Sequence, residues 1–221
     1  EKNPEKSIKM THLIKLNENE IQELAKTSNK IREQILAMIH NAKSGHPGGS
    51  LSVIDILLVL YRKCLKHNKN WCQTPQWDDR DRFVLSKGHA SASLYCVLAD
   101  SGYIDPEETG TFRCFSSRLQ GHPACMCLPG IEVPTGSLGQ GLSMANGIAL
   151  ALKLDKKTSR VYVLLGDGEL QEGQVWEAAM SSSHYKLNNI TAIVDRNRLQ
   201  IDGCTEDIMA LEPLAKKWES F

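Results

Sequence analysis

Residues 160–203 constrain what this chain can fold into more than any other stretch. Arg-Val-Tyr-Val-Leu-Leu at 160–165 is a short apolar, β-branched run that stops at Gly166-Asp167-Gly168. Residues Gln174 to Tyr185 follow with helical spacing, and Ile190-Thr-Ala-Ile-Val194 is a second strand-like run ending in Asp195-Arg196-Asn197. Together they read as one β-α-β unit. Both runs are too evenly apolar to leave one face in water, as expected of a parallel sheet covered by helices. A right-handed crossover sets the two strands in the same direction. Asp167 and Asn197 then meet at the carboxyl ends of neighbouring strands, where open α/β sheets bind ligands.

A carboxylate and an amide carbonyl at that place are hard oxygen donors, suited to Mg²⁺ that also takes phosphate oxygens and water. Gly168 has no side chain to block a phosphate approaching its backbone N–H. A bare Gly-Asp-Gly is as readily a strand-to-loop turn with a capping Asp. The Asn thirty positions after Asp167 makes the pair more specific. Gly166-Asp-Gly-Glu-Leu-Gln-Glu-Gly-Gln-Val-Trp-Glu177 and Asp195-Arg-Asn-Arg-Leu-Gln-Ile-Asp-Gly203 resemble the thiamine-diphosphate enzymes, and more narrowly the transketolases. The resemblance runs from about residue 20 to the end of the sequence.

The 221 residues suit one large α/β domain with a sizeable core. A polar tail over 1–17 and a single domain over 18–221 are expected. With 26 basic and 26 acidic residues the formal net charge is zero, so nothing points to nucleic acid. The apolar stretch Ile56 to Tyr61 is far too short to span a bilayer, and Glu-Lys-Asn-Pro-Glu-Lys is no signal peptide. The expectation is a soluble cytoplasmic protein. Met10 is left open as a natural start, with the nine residues before it an extension. Seven cysteines at scattered positions argue for free thiols in a reducing compartment. Cys125-Met-Cys127, with Cys114 and His122 nearby, invites zinc, but no CxxC pair accompanies them and zinc is not expected.

Along the chain, apolar residues from Ile21 to Ile39 recur at helical spacing and predict an amphipathic helix to about Ala42. Ser44-Gly-His46-Pro-Gly-Gly-Ser50 breaks it, with Ser50 expected to cap a helix over Leu51 to Leu65. Arg82-Phe-Val-Leu85 reads as a strand, followed by Ser86-Lys-Gly-His89, a strand-to-helix turn where backbone N–H groups can meet an anion. Helix is expected to about Asp100, with Gly102 a plausible stop. Gly121-His122-Pro123 lies in an irregular loop. Thr135-Gly-Ser-Leu-Gly-Gln-Gly141 opens a helix to about Leu154. On it Gly139, Ser143, Gly147 and Ala151 make a face that suits either tight packing within the domain or a contact with another subunit. Glu212-Pro213 starts a last helical segment.

The resemblance adds roles that spacing does not give. It implies a metal, Mg²⁺ or Ca²⁺ or Mn²⁺ in its place, held by Asp167, Asn197 and the backbone carbonyl of Leu199. It implies that His89, Gly136, Ser137, Leu138, Gly168, Glu169 and Asn197 contact thiamine diphosphate. His46 and His122 match channel histidines that serve the substrate. Glu172 and Glu177 match an acidic chain linking two cofactor sites across a dimer, although solvated carboxylates near a helix N-terminus are ordinary. In the family the residues after Trp-Glu-Ser-Phe221 begin another strand, and a pyrimidine-binding domain and sugar-phosphate-binding arginines lie further on. The chain is thus expected to be either the N-terminal subunit of a split transketolase or a shortened form.

The fold class expected is α/β, a doubly wound parallel sheet with helices on both faces and an incomplete C-terminal edge. The function expected is half of a thiamine-diphosphate- and Mg²⁺-dependent transketolase, moving a two-carbon ketol unit from a ketose phosphate to an aldose phosphate. Its partner would be a C-terminal subunit carrying the pyrimidine-binding domain, in a hetero-oligomer of paired halves. The alternatives are a relative using a different acceptor and a catalytically silent homologue that acts as a binding partner.

Overall fold

The computed structural model describes residues 14–68, 79–124, 128–201 and 203–221. Met10, Cys72, Cys125 and Cys127 lie outside the described residues. Helix α1 spans Glu18–Ala42 and opens with a capping box, in which Asn17 Oδ1 accepts from Glu20 N and Glu20 Oε2 from Asn17 N, both at 2.9 Å. Ile31, Ile35 and Met38 form its buried stripe, and Lys43 ends it in a left-handed conformation.

The next helix differs from the one expected over Leu51–Leu65. It starts earlier, at α2 (Pro47–Leu51), because a proline at the first helical position forfeits no hydrogen bond. Ser50 therefore does not cap. It is fully buried inside α2, and its carbonyl accepts from Ser93 Oγ at 2.6 Å. After a break at Ser52, α3 runs over Ile54–Val59 and continues as a π-helical turn over Leu60–Cys64.

Among the described residues three strands make the main sheet: β1 (Arg82–Leu85), β2 (Val161–Gly166) and β3 (Ile190–Asp195), in the order β1-β2-β3 and all parallel. Between β1 and β2 lie α4 (Ser91–Asp100) and α5 (Gly141–Leu154); α6 (Gly173–His184) is the crossover from β2 to β3. Val161 pairs with Ile190 and Gly166 with Asp195, so residues 167 and 195–197 leave the sheet at the same end.

The strand pleat divides the core in two. Phe83, Leu85 and Leu164 face α1, α3 and α4 on one side. Val84, Val161, Val163 and Leu165 face α5 and α6 on the other. Helices therefore cover both faces, as a doubly wound sheet requires. Strand β2 is buried as its composition predicts, but β3 is only half covered and Ala192 is exposed. Edge position alone is not the reason, because β1 is the other edge of the described sheet and Phe83, Val84 and Leu85 on it are buried between the two helical layers. After β3 come the short antiparallel pair β4 (Leu199–Gln200) and β5 (Gly203–Cys204), then α7 (Thr205–Ile208) and α8 (Leu214–Glu219). No helix among the described residues is long and apolar enough to cross a membrane.

Helix α5 is tied to α6 by a buried asparagine. Asn146 Nδ2 donates to Ala178 O at 2.8 Å and its Oδ1 accepts from Ser182 Oγ at 2.7 Å, so both ends of the amide are met. The small residues Ser143, Gly147 and Ala151 point the other way and are exposed, whereas Gly139, read with them as one face, lies before α5 and packs tightly against Glu172 within the domain. At the head of α5, a Cβ on Gly141 would stand 2.7 Å from Ser86 Cα. Gly147 faces open space. Gly141→Ala should thus cost about 1–3 kcal/mol of stability through overpacking. Gly147→Ala should leave stability unchanged or raise it by up to about 1 kcal/mol through helix propensity. Urea denaturation of the two variants checks the opposite signs.

Candidate functional site

Three loops at the carboxyl end of the sheet each deliver one histidine. His46 is the residue before the first turn of α2; His89 sits in the 3₁₀ turn Gly88–Ala90 between β1 and α4; His122 follows Gly121 in the loop ahead of α5. The His46 ring centroid lies 5.3 Å from that of His89 and 6.1 Å from that of His122. Glycines allow this. A Cβ on Gly49 would stand 2.8 Å from His89 Nε2, and one on Gly136, at φ +148°, 3.1 Å from His122 Cδ2. Gly136 and Leu138 are half-buried in the loop that passes His122, and Ser137 is exposed.

All three imidazoles are held below the ordinary histidine value. For His89, burial and then Lys87, with His46 and His122 adding to it, bring the pKa to about 4. Burial first and Arg113 second lower His46. The same two causes, with His46 third, lower His122. Near neutral pH the rings are therefore neutral, each with one nitrogen free to accept a proton.

Beneath the histidines lies an ion pair for which the sequence offers no signal. Lys87, 1% exposed, donates from Nζ to Asp195 Oδ2 at 2.7 Å. The same oxygen accepts from Ser52 Oγ at 2.6 Å and from Asn197 Nδ2 at 3.1 Å. Burial works to raise the Asp195 carboxyl, but Lys87, Ser52 and Asn197 together hold it below the usual carboxylate range. Asp195 thus fixes which way the Asn197 amide turns. Its nitrogen faces Asp195, and Oδ1 accepts from Leu199 N at 2.9 Å.

Asp167 is likewise buried, at 1% exposure. Its Oδ1 accepts from Gly168 N at 2.9 Å, and Oδ2 from Arg198 N at 2.6 Å and Arg196 Nη1 at 2.8 Å. Arg196 also meets Glu206 and Glu212, so one guanidinium is shared by three carboxylates. Gly168 approaches Gln200 so closely that a Cβ there would stand 3.0 Å from Gln200 Cβ. Glu169 is turned into the domain. Its carboxylate accepts from Gly139 N and Gly166 N, each at 3.0 Å, and from Ser86 Oγ. Burial raises its pKa against those bonds and Lys87. Glu172 and Glu177 are exposed at the start of α6 and on it, and Leu199 is exposed on β4.

Of the residues singled out in the sequence, the three histidines lie on one side and Asp167 and Asn197 on the other of the buried Lys87–Asp195 pair that joins them, whereas Leu199 and Glu177 are exposed. Glu172 stands close to Gly139, on which a Cβ would lie 2.8 Å from Glu172 Cβ.

The family model described as transketolase, thiamine diphosphate binding domain, matches residues 24–221. The chain belongs to the transketolase family. It is 46% identical over 202 residues to an apulose-4-phosphate transketolase subunit of Phocaeicola vulgatus, covering 91% of this chain and 70% of that one. It is 42% identical over 199 residues to a 6-deoxy-6-sulfo-D-fructose transketolase subunit of a Clostridium species, covering 90% and 71%. The human transketolase is 44% identical over 186 residues, 84% of this chain but 29% of that one. Among solved structures, transketolase from Campylobacter jejuni superposes with a TM-score of 0.84 at 39% identity, over 93% of this chain and 32% of that one. This transketolase-family chain thus spans most of the relatives named as separate subunits, and under a third of the longer transketolases.

Lys87, Asp195, Ser52, Arg113 and Arg196 carry no local mark of their part in the site. A buried lysine reads like a surface one, and only the placement of Asp195 at a strand end beside Asn197 hints at its role. Because removing one member of a buried pair strands the other charge, Lys87→Met should cost about 3–5 kcal/mol. The double variant Lys87→Met/Asp195→Leu should recover a large part of that loss. Urea midpoints of the single and double variants decide it; equal losses would mean that the pair is not electrostatically coupled.

Proposed function

We propose that this chain is the diphosphate-holding half of a two-subunit transketolase that moves a two-carbon ketol unit from a ketose phosphate to an aldose phosphate. The observation that carries the reading is the convergence of His46, His89 and His122 beside Asp167 and Asn197 at one end of the sheet. Support for a partner comes from the relatives at 46% and 42% identity, each of which is named as one subunit of a transketolase.

In this reading a divalent cation, Mg²⁺ foremost, is held by Asp167, by Asn197 Oδ1 and by the carbonyl of Leu199. The donor set fits: these are hard oxygens, and the buried Asp167 carboxylate demands a positive charge. Arg196 meets that demand in this structure and is the group that must give way. His89, Gly136, Ser137, Leu138, Gly168, Glu169 and Asn197 line the place for thiamine diphosphate. When bound, that cofactor supplies a nucleophilic thiazolium carbon and an electron sink. His46 and His122, kept neutral, accept and return protons at the hydroxyls of the sugar through a free ring nitrogen. Glu172, exposed beside Gly139, faces the partner subunit.

A second reading concerns the ketose donor. Relatives named for apulose 4-phosphate and for 6-deoxy-6-sulfo-D-fructose favour a ketol transferase of the same chemistry acting on a less common sugar. Assaying the reconstituted pair against xylulose 5-phosphate, apulose 4-phosphate and the sulfonated ketose separates the two.

Asp167→Ala should abolish the Mg²⁺-dependent part of thiamine diphosphate binding while leaving the far-ultraviolet spectrum unchanged. Calorimetric titration of the cofactor with and without Mg²⁺ measures it. Undiminished affinity in the variant refutes the metal assignment. Ketol transfer that does not require thiamine diphosphate refutes the function.

A further inference from the structure

Arg113 is used by neither the cofactor reading nor the core. It follows the 3₁₀ segment Pro106–Thr111 and adopts the left-handed region at φ +60°, with its N–H donating to Leu119 O at 2.9 Å. A bulky residue in that region is strained unless its surroundings require it. The guanidinium Cζ lies 5.5 Å from the centroid of the buried Phe112 ring. Nη1 donates to Ser44 Oγ at 3.0 Å and Nη2 to Gly121 O at 3.4 Å, while Nε is buried with no partner. The Gly121 backbone presses against the group: a Cβ there would stand 2.5 Å from Cζ.

Ser44 is two residues before His46, and Gly121 immediately precedes His122. One planar cation therefore joins the two segments that carry the substrate-facing histidines. The His122 loop has other anchors, since Ser91 Oγ donates to Gly121 O at 2.8 Å and Tyr95 Oη to Gln120 O at 2.8 Å. Both come from α4. The same helix also holds the chain four residues past His46, through Ser93 Oγ to Ser50 O at 2.6 Å, so Arg113 is the direct link beside the two histidines themselves rather than the whole anchorage.

We propose that Arg113 is a positioning residue that straps the His46 segment to the His122 segment and so sets the gap between the two imidazoles. A guanidinium suits this because its rigid fork donates in two directions at once, which an ammonium on a flexible stem does not do with the same geometry. The strap rests on the reading of His46 and His122 as sugar-facing only for its kinetic consequence. The same cation also acts on the protonation of both rings. The other groups facing them are His89 and His122 across from His46, and His46 across from His122, with Lys87 nearest His89.

The test follows the histidine ring signals of the 221-residue chain by NMR as pH is varied, in the wild type, Arg113→Met, Arg113→Lys and Ser44→Ala. Arg113→Met should raise the pKa of both His46 and His122 and remove the through-space contact between their rings. Arg113→Lys should keep both values depressed yet still lose that contact. Ser44→Ala, which keeps the cation, should weaken the contact without a change in either value, and serves if the arginine variants fail to fold. An unchanged ring contact in all foldable variants overturns the strap. In the reconstituted enzyme Arg113→Lys should lower kcat/KM for the ketose about tenfold or more, with thiamine diphosphate affinity unchanged. Loss of the ring contact without a kinetic effect would leave the strap standing and overturn the sugar-facing reading.

Discussion

A lysine and an aspartate sealed from solvent at the carboxyl end of the sheet hold the rest of the site in register. Lys87 arrives from the end of β1 and Asp195 from the end of β3, on either side of the central strand β2. Two opposite charges in a low-dielectric place demand each other, and separating them would leave either one without compensation. Their pairing fixes the loop after β1, which carries His89, against the loop after β3, which carries Asn197. Ser52 brings the α2–α3 junction to the same carboxylate, and with it the segment of His46. One oxygen atom thus sets the relative positions of three loops that are remote in sequence.

That arrangement explains how much of the molecule is legible in the sequence. The strands at 82–85, 161–166 and 190–195 and the helices between them follow from local apolar pattern and glycine placement. Such signals survive because each element buries its own stripe. The start of α2 does not follow from Ser50, because Pro47 competes with it for the helix N-terminus, and a fixed φ at the first turn outweighs a capping hydroxyl. The half-exposed β3 does not follow from its composition either, since burial of a strand depends on what packs around it.

In the site the limit is different in kind. Asp167 and Asn197 stand at strand ends that their spacing marks, and His46 and His89 stand in glycine-rich turns, whereas His122 is marked only by the resemblance to the transketolases. The groups that hold them carry no such mark. Lys87 resembles any surface lysine until β3 delivers Asp195 to it. Arg113 lies in an irregular loop and gains meaning only when Ser44 and Gly121 meet around it. Arg196 sits next to the recognised Asn197, yet its reach to Asp167, Glu206 and Glu212 depends on how the chain returns after β5. Supporting residues act through contacts that are distant in sequence, so no local pattern marks them.

The central claim is that the histidine cluster and the oxygen-rich corner form one ligand site bridged by Lys87 and Asp195. Paramagnetic broadening by Mn²⁺ in the presence of thiamine diphosphate tests it directly on the histidine ring signals of the chain. The ring protons of His89, His46 and His122 should broaden together at substoichiometric metal, while those of His67, clamped between Tyr61 O and Tyr103 Oη, and of the exposed His184 stay sharp. Broadening that spares all three, or that falls on His67 or His184 instead, would contradict a single continuous site.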